Sequence, residues 1–317
     1  MRSTPLIDLK PPASETNLEI LDGLTRTPKS ISSKYLYDRR GSRLFELITQ
    51  LPEYYLTRTE MTILRANAPD IARRAGADRL LIEFGSGSSA KTRLLLDPMR
   101  PAGYVPVDIS RQRLAASVAS LHDEFKWLHI VPVCADYSRP FVLPAGVTEA
   151  SRTAFFPGSS IGNFDPSDAV DFLQVVREVV GSDGQLLIGI DLKKDRATIE
   201  RAYNDVQGVT TAFTLNVLHH VNRIADADFD VTAFVHRARY NADRGRVEVH
   251  LVSSREQTVE VCRRRIRIRA GEAIHVENCY KYDLAEFDVL AARGGFTRRT
   301  VWSDAKRWFA VLLYESA

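Results

Sequence analysis

The sequence predicts an α/β protein with an open, mostly parallel sheet interrupted by an inserted α+β segment. Three observations carry this reading. From residue 79 to Leu192, short apolar runs alternate with amphipathic helical stretches, the pattern of βαβ units. After Leu192 the alternation stops, and residues 231 to 270 read as consecutive antiparallel strands, which fit poorly inside a doubly wound sheet. The chain then returns with a helix, "LAEFDVLAARG", and two strands, "FTRRTVWSD" and "RWFAVLLYES". The expected division is therefore discontinuous. Residues 57–193 plus 283–317 form the sheet domain, and residues 1–56 plus 194–282 form a second domain.

Taken in order, the first ~15 residues, with Pro5, Pro11 and Pro12, read as irregular or loosely attached. Leu18, Ile20, Leu21 and Leu24 have helical spacing, and a second short helix follows Gly41-Ser42. In "LPEYYLTRTE", Thr57 and Glu60 have capping-box spacing and predict a helix opening there and running to about Gly76. "LLIEF" is a buried strand, and "AKTRLLLDPM" starts a helix. "YVPVD", "LHIVPVCAD" and "TAFFPGSSIGN" supply the next strands, and Pro166 stands near the start of a helix rich in valine. "GQLLIGIDL" is a further strand, and residues 195 to 224 read as helices.

Composition narrows the function classes. The chain has 317 residues, 44% hydrophobic, enough for a large core or two domains. Its net charge of +3 does not by itself argue for nucleic acid. The densest basic run, Arg263 to Arg269, alternates with Ile266 and Ile268 and reads as a strand with its arginines outward, rather than a phosphate-binding strip. Cys134, Cys262 and Cys279 lie far apart, so neither a zinc ribbon nor a disulfide framework is indicated. His219 and His220 are adjacent on a helix and point about 100° apart, which argues against a shared metal. No apolar stretch approaches a membrane span, and the N-terminus lacks a signal-peptide run. The expectation is a cytoplasmic monomer with no metal, no nucleic acid and no membrane partner.

The stretch "IEFGSGSSAKTRLLL" fits three ligands. As a Walker A loop it has Ala90 where glycine must precede the lysine, although Asp191 after "LLIGI" imitates a Walker B acid. As a dinucleotide fingerprint it keeps its glycines and has Asp108 at the next strand end for a ribose. As a cofactor loop of a class I (Rossmann-like) methyltransferase it has Glu83 two residues before Gly85 and the pair Asp136-Tyr137 after the third strand. It also has the closing strand "RWFAVLLYES". S-adenosylmethionine carries no phosphate, which suits a loop whose glycines, Gly85 and Gly87, serve close backbone approach.

More specific stretches accompany the loop: "LPEYYLTRTE", "GSSIGNFDP", "RAYNDVQGVTTAFTLNVLHHVN" and "ENCYKY". With them, from about residue 27 to the C-terminus, the chain resembles the histidine Nα-methyltransferases of ergothioneine biosynthesis. That resemblance implies S-adenosyl-L-methionine as co-substrate and free L-histidine, or a close analogue, as acceptor, trimethylated to hercynine. It also implies that the second domain binds the acceptor. Carried over by position, the cofactor residues are Glu83, Gly85, Gly87, Lys91, Asp108, Asp136 and Tyr137. The substrate residues are Tyr37, Tyr54, Gly158, Asn163, Tyr203, Phe213, Glu277 and Cys279. Asn163 and Tyr203 suit the carboxylate, and the rings of Tyr37, Tyr54 and Phe213 suit an amine that becomes a quaternary cation. Glu277 and Cys279 fall where the family grips the imidazole. No dedicated base is identified.

Two departures bear on the acceptor. Cys279 stands where the family usually has serine, and Val249 where bacterial relatives often have methionine. A paralogue acting on another amino acid or imidazole compound is the alternative. A nicotinamide-dependent oxidoreductase and a non-catalytic ligand sensor are the readings from other classes.

Overall fold

The computed structural model describes residues 6–9, 12–139, 143 and 150–317. They fall into two compact units. The first comprises Met1–Lys10, Leu56–Lys193 and Lys281–Ala317, and the second Pro11–Tyr55 and Lys194–Tyr280.

Strands and helices are numbered along the whole chain. The first unit is built on an eight-stranded sheet of β1 (Ile7–Asp8), β3 (Leu80–Phe84), β4 (Gly103–Asp108), β5 (Val133–Cys134), β6 (Arg152–Phe156), β7 (Gln185–Asp191), β13 (Phe296–Ser303) and β14 (Phe309–Ser316). Their spatial order is β1-β5-β4-β3-β6-β7-β14-β13. The first six run parallel, β14 lies antiparallel to β7, and β13 antiparallel to β14. This is the mostly parallel sheet with a closing antiparallel pair that the sequence predicts. The accompanying helices are α3 (Tyr55–Ala75), α4 (Arg93–Met99), α5 (Arg111–Glu124), α6 (Pro166–Val180) and α9 (Leu284–Arg293). β3, β4 and β7 are buried at every residue, which is why they read as continuous apolar runs and not as alternating ones. Pro166 sits at the first helical position of α6, where its missing N–H has no partner to lose. β3 pairs with β4 on one side and β6 on the other, so the strand order reverses there. The carboxyl ends of β3 and β6 are the switch point at which such sheets bind ligands.

Three sequence expectations change in this unit. The third helix opens at Tyr55, so Thr57 lies inside it and Glu60 caps nothing; the Glu60 carboxylate is engaged elsewhere, as described below. The strand expected over 128–136 contracts to Val133–Cys134 plus an isolated bridge at Ile130, since Pro132 has no N–H to give a ladder. Ile7–Asp8, within the stretch expected to be irregular, pairs parallel with Val133–Cys134.

The second unit contains β2 (Lys29–Ser30), β8 (Phe234–Asn241), β9 (Arg246–Ser253), β10 (Gln257–Val261), β11 (Arg264–Ile268) and β12 (Ala273–Tyr280). Its helices are α1 (Ala13–Thr25), α2 (Arg39–Ile48), α7 (Arg196–Ala202) and α8 (Val209–Ile224). Four strands form a sheet in the order β2-β12-β9-β8, and β10 and β11 form a separate hairpin. In that hairpin Ile266 and Ile268 are buried and the arginines around them exposed, so the basic run is a solvated strand face. α2 starts at Arg39, before Gly41-Ser42 and not after it, because the Asp38 side chain caps it by accepting from the Gly41 N–H at 2.7 Å. The same carboxylate accepts from Asn216 of α8 at 2.7 Å and from Arg223 at 2.6 Å, tying α2 to α8. Burial raises its pKa, but these bonds outweigh burial and hold it below the usual carboxylate range.

All three cysteines are free thiols. Among the described residues no group of His, Cys, Asp and Glu could hold a metal ion, and no helix is long and apolar enough to cross a membrane. His220 directs Nδ1 at the Tyr35 carbonyl, 2.8 Å away.

Candidate active site

In the first unit, the residues assigned to the cofactor gather at the carboxyl ends of β3, β4 and β5. Gly85 and Gly87 both have positive φ, +71° and +53°, which an L side chain resists. The N–H groups of Gly85 and Ser86 donate to the Val107 carbonyl at 2.8 and 3.2 Å, folding the loop over the end of β4. Asp108 ends β4 and accepts from the Gly87 N–H through one oxygen and the Ser110 N–H through the other, each at 2.8 Å. It is therefore not the cap of α5, whose N-cap position belongs to Ser110. A Cβ at Gly85 would come within 3.3 Å of the Tyr137 hydroxyl, so the glycine lets the tyrosine close on the loop. The Tyr137 ring is held by Phe84, Phe156 and Phe172 at centroid separations of 6.2, 5.9 and 6.0 Å. Burial, then the charges of Asp108 and Asp136, push its hydroxyl far above the usual tyrosine range, so it stays a phenol. Asp136 is buried and accepts from the Ser138 N–H at 3.2 Å and hydroxyl at 2.5 Å.

Glu83 is placed differently from the others. It is buried beneath the loop and accepts from the Tyr104 hydroxyl. Burial pushes its pKa up to about 7, opposed by the Tyr104 hydroxyl and the Lys91 charge. Through Tyr104, whose hydroxyl also lies 3.1 Å from Ser89 Oγ, it is tied to the loop. Ser86 Oγ, in the loop itself, is buried and has no hydrogen-bond partner among the described residues. A buried orphan hydroxyl between two left-handed glycines fits a loop shaped around a polar ligand.

Lys91 follows the loop. Its ammonium lies 2.5 Å from Glu60 Oε2, and Glu60 is fully buried. Both Glu60 oxygens also accept from the Gly158 N–H, at 2.9 and 3.0 Å. Gly158 has a φ of +88°, and a Cβ there would lie 3.2 Å from the Lys91 nitrogen. It opens the turn that leads to a 3-10 segment, Ser160–Asn163, where Asn163 is half-buried.

The second unit gathers the remaining assigned residues in two groups. The first is a set of rings. Tyr37 meets Phe213 at 5.5 Å and Phe45 at 5.6 Å; Phe45 meets Phe213 at 5.9 Å and Tyr54 at 6.2 Å; Tyr54 meets Tyr203 at 6.4 Å. Most of these contacts are edge-to-face, the favoured arrangement of ring quadrupoles. Tyr203 ends α7, and its carbonyl faces His236 Nε2 of β8 at 3.0 Å. Burial lowers the His236 pKa, so the ring is neutral and donates this bond. The second group lies on the sheet. Glu277 and Cys279 alternate on one face of β12, opposite Val249 and Val247 of β9, which in turn face Ala238 and Tyr240 of β8. Val249 is thus the direct cross-strand neighbour of Glu277. Lys281, four residues beyond Glu277, pairs with Asp191 at 3.0 Å within the first unit.

Two residues here escaped sequence reasoning. Phe45 touches three members of the ring set, but in sequence it reads as one more apolar position of a short helix. Glu60 imitated a capping residue. Its signal was the buried environment of α3, which spacing alone does not reveal.

The family model for histidine-specific, S-adenosylmethionine-dependent methyltransferases matches residues 16–316. A histidine N-alpha-methyltransferase of Mycobacterium tuberculosis is 39% identical over 302 residues, covering 93% of each chain. One from Mycolicibacterium smegmatis is 38% identical over 301 residues, again covering 93% of each. Ergothioneine biosynthesis protein 1 of Neurospora crassa is 31% identical over 330 residues, covering 98% of this chain and 36% of that one.

Proposed function

The chain belongs to the histidine-specific, S-adenosylmethionine-dependent methyltransferases, and from that premise we propose that it methylates the α-amino nitrogen of free L-histidine three times, giving hercynine, the first step toward ergothioneine. The Walker A and dinucleotide readings of the glycine loop, and the oxidoreductase and non-catalytic readings of the chain, give way to this one.

The ring set of Tyr37, Phe45, Tyr54, Tyr203 and Phe213 is the observation that carries the reading beyond the family. The acceptor amine loses its N–H donors as methylation proceeds and ends as a quaternary cation. A cage of carboxylates would lose its hydrogen bonds along the way. Before each transfer the amine gives up one proton and attacks as the neutral base, and each transfer leaves it cationic again; aromatic faces accommodate both forms and contribute about 0.5–2 kcal/mol per favourable contact with the cation. Tyr37 and Phe45 are half-buried, leaving ring surface for a ligand.

The cosubstrate supplies the chemistry when bound: a methyl group on a sulfonium sulfur, already activated for in-line transfer. The protein's part is binding and orientation. Asp108 offers a carboxylate for a ribose, Asp136 and Tyr137 for an adenine, and Gly85 the close backbone approach. Lys91 offers an ammonium for a carboxylate. Glu277 accepts an imidazole N–H from the face it shares with Cys279. Tyr203 offers a neutral hydroxyl to the substrate carboxylate.

Mass spectrometry of products from an amino-acid mixture with S-adenosylmethionine tests the proposal. Trimethylated histidine is the expected main product. A different methylated amino acid as the main product, or arrest at monomethyl-histidine with excess cosubstrate, would overturn it.

A further inference from the structure

Glu60 is the one carboxylate of α3 that is fully buried, and it reaches the switch point of the sheet. Three segments converge on it. Lys91, after the glycine loop, lies 2.5 Å from Oε2. The Gly158 N–H, after β6, donates to both oxygens. Gly189, in the middle of β7, lies so close that a Cβ there would fall 2.1 Å from Oε1, so only glycine admits the carboxylate. Burying a carboxylate is costly, and a lysine partner plus a bonded backbone N–H offsets that cost only in well-fixed geometry. A helix-surface role does not need such an arrangement.

We propose that Glu60 is a positioning residue for methyl transfer: it fixes the Lys91 ammonium and the Gly158 turn, and it cancels the lysine's charge beside a site that must accept a sulfonium cation. The inference rests on the assignment of Lys91 to the cofactor site. The charge argument is chemical. S-adenosylmethionine carries one more positive charge than S-adenosylhomocysteine, the thioether left after transfer. An uncompensated lysine therefore penalises the substrate more than the product, because like charges repel strongly where water is scarce. Glu60 balances the lysine's charge and so protects binding of the reactive form.

Calorimetry of both ligands tests this, with thermal unfolding as the control for folding. Glu60→Gln keeps an acceptor for the Gly158 N–H and removes the charge. It should weaken S-adenosylmethionine by about tenfold and S-adenosylhomocysteine by about threefold or less. Lys91→Met should weaken both ligands but move their affinity ratio the opposite way, favouring the sulfonium. The double variant should return the ratio toward that of the unaltered protein. Glu60→Asp, which keeps the charge on a shorter arm, should restore most of the ratio. A role confined to packing would weaken both ligands equally in Glu60→Gln, and that result overturns the proposal. If Lys91→Met binds both ligands normally, the cofactor assignment of Lys91 fails and the proposal falls with it. If Lys91→Met weakens both while Glu60→Gln alters neither, the proposal alone falls. Should Glu60→Gln not fold, the ratio in Lys91→Met and the double variant still decides: no opposite shift refutes it.

Discussion

The two units hold the residues proposed for ligand binding by different physics. In the first, the residues are fixed by hydrogen bonds from backbone N–H groups at strand ends: Gly87 to Asp108, Ser110 to Asp108, Gly158 to Glu60. In the second, rings rest against rings, and a glutamate and a cysteine project from one face of a strand. A backbone-anchored site demands special conformations, so it leaves glycines and acids at fixed places in the sequence. A ring cluster demands only apolar bulk, assembled from α2, α8 and the segments before and after them. The first arrangement suits a ligand that never changes shape class; the second suits an acceptor whose nitrogen loses hydrogen bonds as it reacts.

If this contrast is right, the largest effect of a single substitution belongs to the backbone-anchored site. Asp108→Ala removes one charged acceptor and at the same time releases the Gly87 and Ser110 N–H groups. We expect S-adenosylmethionine affinity to fall by about 1–3 kcal/mol, the worth of a charge-assisted bond and the loss of loop order. Histidine binding to the preloaded enzyme should change far less. Calorimetry that finds cosubstrate affinity intact would remove Asp108 from the site and dissolve the contrast at its clearest point.

What the sequence made legible follows the same line. The sheet, its closing antiparallel pair and the change of pattern after Leu192 were readable because strand burial on two faces leaves continuous apolar runs. The glycine loop and Asp108 were readable because close backbone approach restricts residue type. Glu60 was misread because Thr57-x-x-Glu60 satisfies a local rule, while its tertiary bonds to residues 91 and 158 override that rule. Phe45 was missed because no local rule marks one apolar residue of α2 as part of a ring cluster. The place of Val249 beside Glu277 depends on strand register, which the β-bulge between His275 and Glu277 shifts by a residue.

In the second unit the sharpest test is Glu277→Ala. Its carboxylate accepts the imidazole N–H in the proposed reading, and a neutral imidazole has only one such donor. The histidine KM should rise by at least about tenfold, equivalent to about 1.4 kcal/mol. Cosubstrate affinity should stay within about twofold. Histidine kinetics that do not change would mean the β12 face does not bind the ring, and the division of labour between the two units would have to be redrawn.

The smallest effect, and the one that separates histidine from its analogues, concerns Cys279. It is 6% exposed and shares the β12 face with Glu277, two residues along the strand. The second imidazole nitrogen needs a partner that can donate or accept according to tautomer. A thiol does this weakly, and a hydroxyl does it well at nearly the same size. Cys279→Ser should therefore tighten histidine by about 0.5–1.5 kcal/mol, the net worth of one ordinary hydrogen bond. The gain has a thermal readout. A ligand that binds only the folded protein stabilises it in proportion to its affinity, so histidine should raise the melting temperature of Cys279→Ser by more than that of the unaltered protein. Tighter histidine with that larger melting shift would place Cys279 against the ring. If Cys279→Ser weakens histidine while another amino acid gains, the thiol is part of a site tuned to a different acceptor, and the reading of histidine as the preferred substrate should be abandoned.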